Sequence, residues 1–252
     1  MKHGILGLVV FLISILPGSV AAFDLGARAV YWMPNLDSTV QRDGNGLDGR
    51  NFSLTGDLDV QDKSWPMFSV FGGIGDHYLE LVYTAVDYSG DETLGQDSNY
   101  GGAVYTGGTT VRYDLDYRSL DILYGYRFID LDAILAGFSV HGTVNLKVVD
   151  GESRFKSGAQ STSDDFRAYI PMFGLDARLG ILLDMLTARA TVATMPFGGT
   201  NASELAGHLA FTPFPFVDIH VGYRVLLLRI EDGDLTLEHG MAGPYAGITI
   251  SF

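Results

Sequence analysis

Histidine is the side chain on which nucleophilic, acid–base and metal chemistry at neutral pH most often turns. Beyond residue 22 the chain offers His77, His141, His208, His220 and His239. A nucleophile system needs Ser, His and an orienting polar group within hydrogen-bond reach. No His-x-Ser pair occurs, and the nearest approach is His141-Gly142-Thr143. An acidic protease-type site would need Asp and His together at an exposed rim. Glu238-His239 is the one candidate, and a solvated strand end accounts for it as well. There is no His-Glu-x-x-His and no Cys, so the common zinc motifs are missing. The glycine pairs Gly72-Gly73, Gly101-Gly102, Gly107-Gly108 and Gly198-Gly199 lack the strand-to-helix setting of a phosphate loop. Catalysis, a cofactor and a metal site are therefore not expected.

Charges at alternate positions are more informative. Phe138, Val140, Val144, Leu146 and Val148 share one strand face with Gly142, while Ser139, His141, Thr143, Asn145 and Lys147 share the other. If the apolar faces of such strands meet lipid, a lumen receives Arg28, Glu80, Asp121, Arg127, His141, Lys147, Asp176, Arg178, Arg189, Glu204, His208, Asp218, His220 and Arg224. Acids and bases are near balance. A narrow lumen should pair them across neighbouring strands, because an unpaired charge in a confined, poorly hydrated space is costly. Asp176 with Arg178, and Asp218 with Arg224, lie at even spacing and so share a face. The expectation is a lumen plugged by ion pairs. The alternative is a narrow polar conduit or a ligand pocket at the outer mouth.

The elements that must position these residues are strands. Alternating segments separated by Gly, Asp, Asn and Ser clusters cover 23–32, 66–74, 78–88, 111–128, 138–149, 166–181, 186–195, 203–212, 217–230 and 235–252. The stretch 51–60 also alternates; it is placed in a long first loop, with a further strand of the sheet as the alternative. Connections alternate too: 33–65, 89–110, 150–165, 196–202 and 231–234 are mostly long and polar, and those between are mostly short. Long loops on one side and short turns on the other is the pattern of a membrane barrel. The last strand, Tyr245 to Phe252, places Ala246, Ile248, Ile250 and Phe252 on one apolar face that ends the chain on an aromatic residue. That face reads as the assembly signal. The predicted fold is all-β: a closed antiparallel transmembrane β-barrel of about ten strands, range about 8–12.

At the other end, Lys2 precedes an apolar run from Ile5 to Leu16, then Pro17-Gly18-Ser19 and Val20-Ala21-Ala22. This reads as a cleavable signal peptide over 1–22, with the barrel over 23–252. The run is too short for a transmembrane helix, which needs about 20 apolar residues. Formal charge is −14, or −15 without Lys2, which argues against a nucleic-acid partner. The acidic stretches 43–62, 87–97, 164–165 and 231–238 read as solvated loop surface, with divalent-cation binding as the lesser alternative.

The blocks Phe71-Gly72-Gly73-Ile74-Gly75-Asp76-His77-Tyr78-Leu79-Glu80, Asp87-Tyr88-Ser89-Gly90, Leu120-Asp121-Ile122-Leu123-Tyr124-Gly125-Tyr126-Arg127 and Gly222-Tyr223-Arg224, with the terminal strand, carry a resemblance over most of the mature chain. In this order they resemble small Gram-negative outer-membrane barrels of the OmpW-like kind, and more closely a poorly characterised group of exported barrel proteins. The resemblance implies the outer membrane of a Gram-negative bacterium after signal cleavage. It implies outer-membrane lipid and lipopolysaccharide as surroundings, and the barrel-assembly machinery with periplasmic chaperones as partners. For OmpW-like proteins it implies passage of small apolar molecules. The expected role is thus a narrow or plugged barrel that admits or binds small apolar molecules. The alternative is a structural or adhesive surface barrel with acidic cation- or partner-binding loops, and a third reading is a lipid-modifying hydrolase.

Overall fold

The computed structural model describes residues 23–131, 137–158, 160–181, 185–195 and 200–252. The expected signal peptide lies outside the described residues, as do parts of the expected connections 129–137, 183–185 and 196–202. The strands are β1 (Phe23–Trp32), β2 (Asn35–Arg42), β3 (Phe52–Ser53), β4 (Trp65–Ile74), β5 (His77–Thr93), β6 (Ser98–Tyr100), β7 (Ala103–Tyr105), β8 (Thr110–Asp130), β9 (Ser139–Ser157), β10 (Gln160–Ile181), β11 (Leu186–Met195), β12 (Asn201–Phe214), β13 (Val217–Asp232) and β14 (Leu235–Ser251).

Ten of them, β1, β4, β5 and β8 to β14, form one antiparallel ring in which β1 pairs with β14. Within the belt, closure removes the sheet edges, so backbone groups there are paired without water. The seam is held to the last residue: Leu25 N donates to Phe252 O at 3.1 Å, and Phe252 N donates to Leu25 O at 2.8 Å. Phe216, in the turn before β13, sits at φ 71° and stacks on Phe252 with ring centroids 5.7 Å apart. A non-glycine residue at positive φ is strained by about 1–3 kcal/mol, so the surrounding contacts must hold it there. Among the described residues no helix is long and apolar enough to cross a membrane.

The strands are longer than expected at the long-loop end. The stretch 150–165, expected to be a loop, is instead the top of β9 and β10, which run to Ser157 and from Gln160. Its polar residues alternate between the outer face and inward bonds such as those of Ser153 and Thr162 to buried tyrosines, which composition alone does not separate from loop. The stretch 33–65 is only partly loop. After Pro34, which has no N–H for the ladder, the chain resumes as β2 along β14. Residues 51–60 do not add a barrel strand: β3 pairs with β2 alone, and one helical turn, Leu54–Asp57, follows. Its start is capped by Ser53 Oγ, which accepts from Gly56 N at 3.1 Å. β6 and β7 form a small separate hairpin.

Polarity changes faces along the strands while their alternation stays in phase. On β8 the outward residues are Leu120, Ile122, Tyr124, Tyr126 and Phe128 toward the short-turn end, but Arg112, Asp114, Asp116 and Arg118 toward the long-loop end. The inward residues reverse accordingly: Ser119 and Asp121 below, Val111, Tyr113, Leu115 and Tyr117 above. β10 does the same, with Phe173 and Leu175 outward below and Phe166, Ala168, Ile170 and Met172 inward above. The outward apolar belt has the height of a bilayer-crossing strand, about 9–11 residues. Above it the ordinary rule of water returns, with apolar groups inside and charges outside.

That upper interior is packed solid. Segments from both long loops fold into it: Phe52, Leu54, Leu58 and Val60 from the first, Leu94, Tyr100 and Tyr105 from the second, all nearly or fully buried. Phe155 anchors them, stacking on Tyr100 at 4.7 Å and meeting Phe52 at 5.2 Å and Tyr105 at 4.8 Å.

Candidate functional site

Below this aromatic core, four cations and four anions meet in the belt-level lumen, each on an inward position of a different strand or level. Arg28 Nη1 donates to Glu80 Oε1 at 3.0 Å, and Tyr78 OH donates to Glu80 Oε2 at 2.6 Å. Lys147 Nζ donates to Asp121 Oδ1 at 2.6 Å and lies 3.8 Å from Glu204. Arg224 Nη2 lies 3.0 Å from Glu204 Oε1. Arg189 Nε donates to Asp176 Oδ2 at 2.7 Å, and Thr191 Oγ1 donates to the same oxygen at 2.6 Å. Arg224 also lies over the Trp32 ring at 4.9 Å, tying the ion-pair layer to the core above.

Register explains the partners. Asp121 and Lys147 are directly opposed on β8 and β9, while Asp176 reaches diagonally to Arg189 across β10 and β11. The even-spaced companions on the same strands are not partners. Asp176 pairs with Arg189, not Arg178; Arg224 pairs with Glu204, not Asp218. In both pairs the partner is the diagonal neighbour on the adjacent strand, within reach of a long side chain.

The remaining residues of the expected lumen set line a cavity at the short-turn end. It measures about 500 Å³ and is bordered by Arg28, Arg127, His141, Asp176, Arg178, Arg189, His208, Asp218 and His220, with Asp24, Tyr78 and Thr249. Arg127 is held at the rim by Asp76, 2.9 Å away, and by Asp130 at 3.1 Å. Asp218 Oδ1 accepts from Thr212 Oγ1 at 2.6 Å. His208 Nδ1 lies 2.9 Å from Tyr245 OH. The expected pocket at the outer mouth is therefore misplaced: the described cavity of this size faces the turn end, because loop side chains occupy the other.

His239 also needs correction as a rim candidate. It is 1% exposed. Its Nδ1 lies 2.7 Å from Ser38 Oγ and its Nε2 3.0 Å from Tyr117 OH, within the upper core. Its neighbour Glu238 points outward to Arg229, 2.5 Å away. Adjacent strand residues face opposite sides, so the pair could never act together. Among the described residues no cluster of three His, Asp or Glu side chains is placed to hold a metal. Sequence reasoning missed Tyr78, Thr191, Thr212 and Tyr245, whose hydroxyls complete the lumen bonds. Their inward parity was the available signal.

Ala246, Ile248, Ile250 and Phe252 face outward beside the β1 seam, with Phe252 73% exposed.

No protein-family model and no curated protein matches this chain. Solved structures do. The outer membrane protease OmpT from Escherichia coli superposes with a TM-score of 0.63 at 7% identity, covering 94% of this chain and 99% of that one. The translocator domain of the autotransporter NalP from Neisseria meningitidis gives 0.41 at 12% identity, covering 98% and 93%. The attachment invasion locus protein Ail of Yersinia pestis gives 0.34 at 12%, covering 91% and 98%. The likeness to the protease establishes the shared outer-membrane β-barrel fold and nothing about activity.

Proposed function

We propose that this chain is an outer-membrane barrel of a Gram-negative cell, sealed on the outside by its own loops and holding a polar binding pocket open to the periplasm. The observation that carries this reading is the solid aromatic core in the long-loop half, where Val40, Phe52, Leu54, Tyr100, Tyr113, Leu115 and Phe155 have no exposure to solvent. A diffusion pore needs a continuous wet lumen, and wide pores use more strands. The pocket lining of guanidinium, imidazole, carboxylate and hydroxyl groups favours a polar ligand over the small apolar one that the resemblance implied. Short turns and the N-terminus lie at the periplasmic end in this reading, and residues 1–22 act as a cleaved export signal. Phe252 and its face engage the barrel-assembly machinery, and lipid and lipopolysaccharide surround the belt.

The test is conductance in planar bilayers. The unmodified protein is expected to show no steady open state. Replacing residues 51–64 with a short Gly-Ser turn removes half of the plug and is expected to produce one. A large, steady conductance in the unmodified protein overturns the sealed-barrel reading.

A second reading, a structural or adhesive surface barrel, is favoured by one arrangement. Asp87, Asp116, Glu152 and Asp165 stand opposite one another in a single row across β5, β8, β9 and β10. All four face outward above the belt, where a cationic partner could dock.

A further inference from the structure

Two arginines stand in direct cross-strand register at the pocket wall. Arg178 on β10 is directly opposed to Arg189 on β11, and Arg189 in turn to His208 on β12. Like charges in direct cross-strand register repel; Arg189 is partly buried while Arg178, at the open end of the pocket, is exposed. Arg189 has a counter-ion in Asp176. Arg178 has no carboxylate within ion-pair distance among the described residues; Asp24, at the lip, acts on it only through space. The other acids near the pocket are engaged: Asp76 by Arg127, Glu80 by Arg28 and Tyr78, and Asp218 by Thr212. Each guanidinium carries five N–H donors. The one side-chain hydrogen bond of Arg189 uses only Nε, and both guanidinium groups border the cavity.

From this we infer that the periplasmic pocket binds a small molecule through a carboxylate or phosphate group, gripped by Arg178 and Arg189 together. Adjacent guanidinium forks match the planar oxygen pairs of such anions and can each donate two hydrogen bonds. An anion there would also neutralise the opposed pair. A cavity of about 500 Å³ falls within the usual range for small-molecule sites. The inference rests on the reading that the pocket opens to the periplasm.

Two measurements separate the two ideas. The chain has no cysteine, so Ala210→Cys, a partly exposed position that borders the pocket, supplies a single thiol. In oriented membranes a membrane-impermeant maleimide is expected to label it from the periplasmic face only. Labelling from the outside, or from neither side, overturns the pocket reading. Binding is then measured by calorimetry on the whole barrel in a neutral maltoside detergent, with inorganic phosphate and succinate as probes and succinamide as the uncharged control. Saturable binding of phosphate or succinate but not succinamide is expected. Arg178→Gln is expected to weaken it by about tenfold or more, and Arg178→Lys to recover only part. Without ligand, Arg178→Gln is expected to leave thermal stability equal or higher, since it removes a repulsion. Periplasmic labelling with no saturable binding of either anion overturns the inference alone. So does Arg178→Gln binding as tightly as the parent, or Arg178→Gln lowering the stability of the empty barrel, which would make Arg178 a structural counter-ion of Asp24.

Discussion

At the scale of single residues, the lumen shows how a charge is made tolerable away from water. Arg224 is 7% exposed and its nearest carboxylate is Glu204. Arg224→Ala would leave Glu204 with only the longer contact to Lys147, 3.8 Å away. Loss of one partner of a buried pair costs about 3 kcal/mol or more, and urea titration of folding into lipid vesicles should show a loss of that size. Outside the belt the same charges behave differently. Asp116 faces water with Asp87 and Glu152 opposed to it. Partial burial, then the nearby Asp87 and Asp114, hold its pKa above the ordinary aspartate value. A carboxyl group whose pKa is raised on folding contributes stability that is complete below its unfolded pKa and is lost as pH rises through the folded one. Asp116→Asn should therefore stabilise the barrel at neutral pH. The gain should vanish in denaturation curves taken below pH ~4, where both forms are uncharged.

At the scale of elements, the decisive feature is the exchange of faces along one uninterrupted strand. In β8 the apolar residues occupy odd positions from Val111 to Tyr117 and even positions from Leu120 to Phe128. In β13 they occupy odd positions from Ile219 to Val225 and even ones from Leu226 to Ile230. Backbone alternation does not slip, so the solvent must have changed from lipid to water. The phase change is visible in the sequence. Giving each strand one lipid face throughout its length hides it. The seam is the other element that matters. Phe252 exchanges both backbone bonds with Leu25 and stacks on Phe216. Phe252→Ala, and more so deletion of Phe252, should lower outer-membrane levels in fractionated cells. Undiminished levels of both variants at low expression would remove Phe252 from the assembly signal.

At the scale of the whole molecule, closure and plugging make one rigid object. Above the belt the wall is redistributed: β4 reaches only to Trp65, and among the described residues the β11–β12 pairing extends to Met195 and Ala202. Arg167 N on β10 donates to Asp232 Oδ2 on β13 at 3.3 Å, joining two strands that are not neighbours in the belt. A closed ring with a packed interior should resist SDS until heated, so refolded protein should migrate differently before and after boiling. Identical mobility, in a sample whose circular dichroism shows folded β-structure, would count against the ring.

Local residue order was enough to locate the ten ring strands and their alternation, though not their extension above the belt or β2, because strand periodicity and turn chemistry act over a few neighbours. It also placed the inward charges Asp121, Lys147, Asp176 and Arg224, since parity in the belt follows from which side meets lipid. It could not choose their partners. Whether Asp176 meets Arg178 or Arg189 depends on the register between strands, which is set by the ring and not by spacing within one strand. Nor could it show that Phe52 and Tyr100 plug the barrel or that His239 is buried, because a polar loop with a few aromatics looks the same whether it stands in water or folds inward. Those choices were made by the tertiary structure, where an apolar upper wall offered the loops a surface to cover.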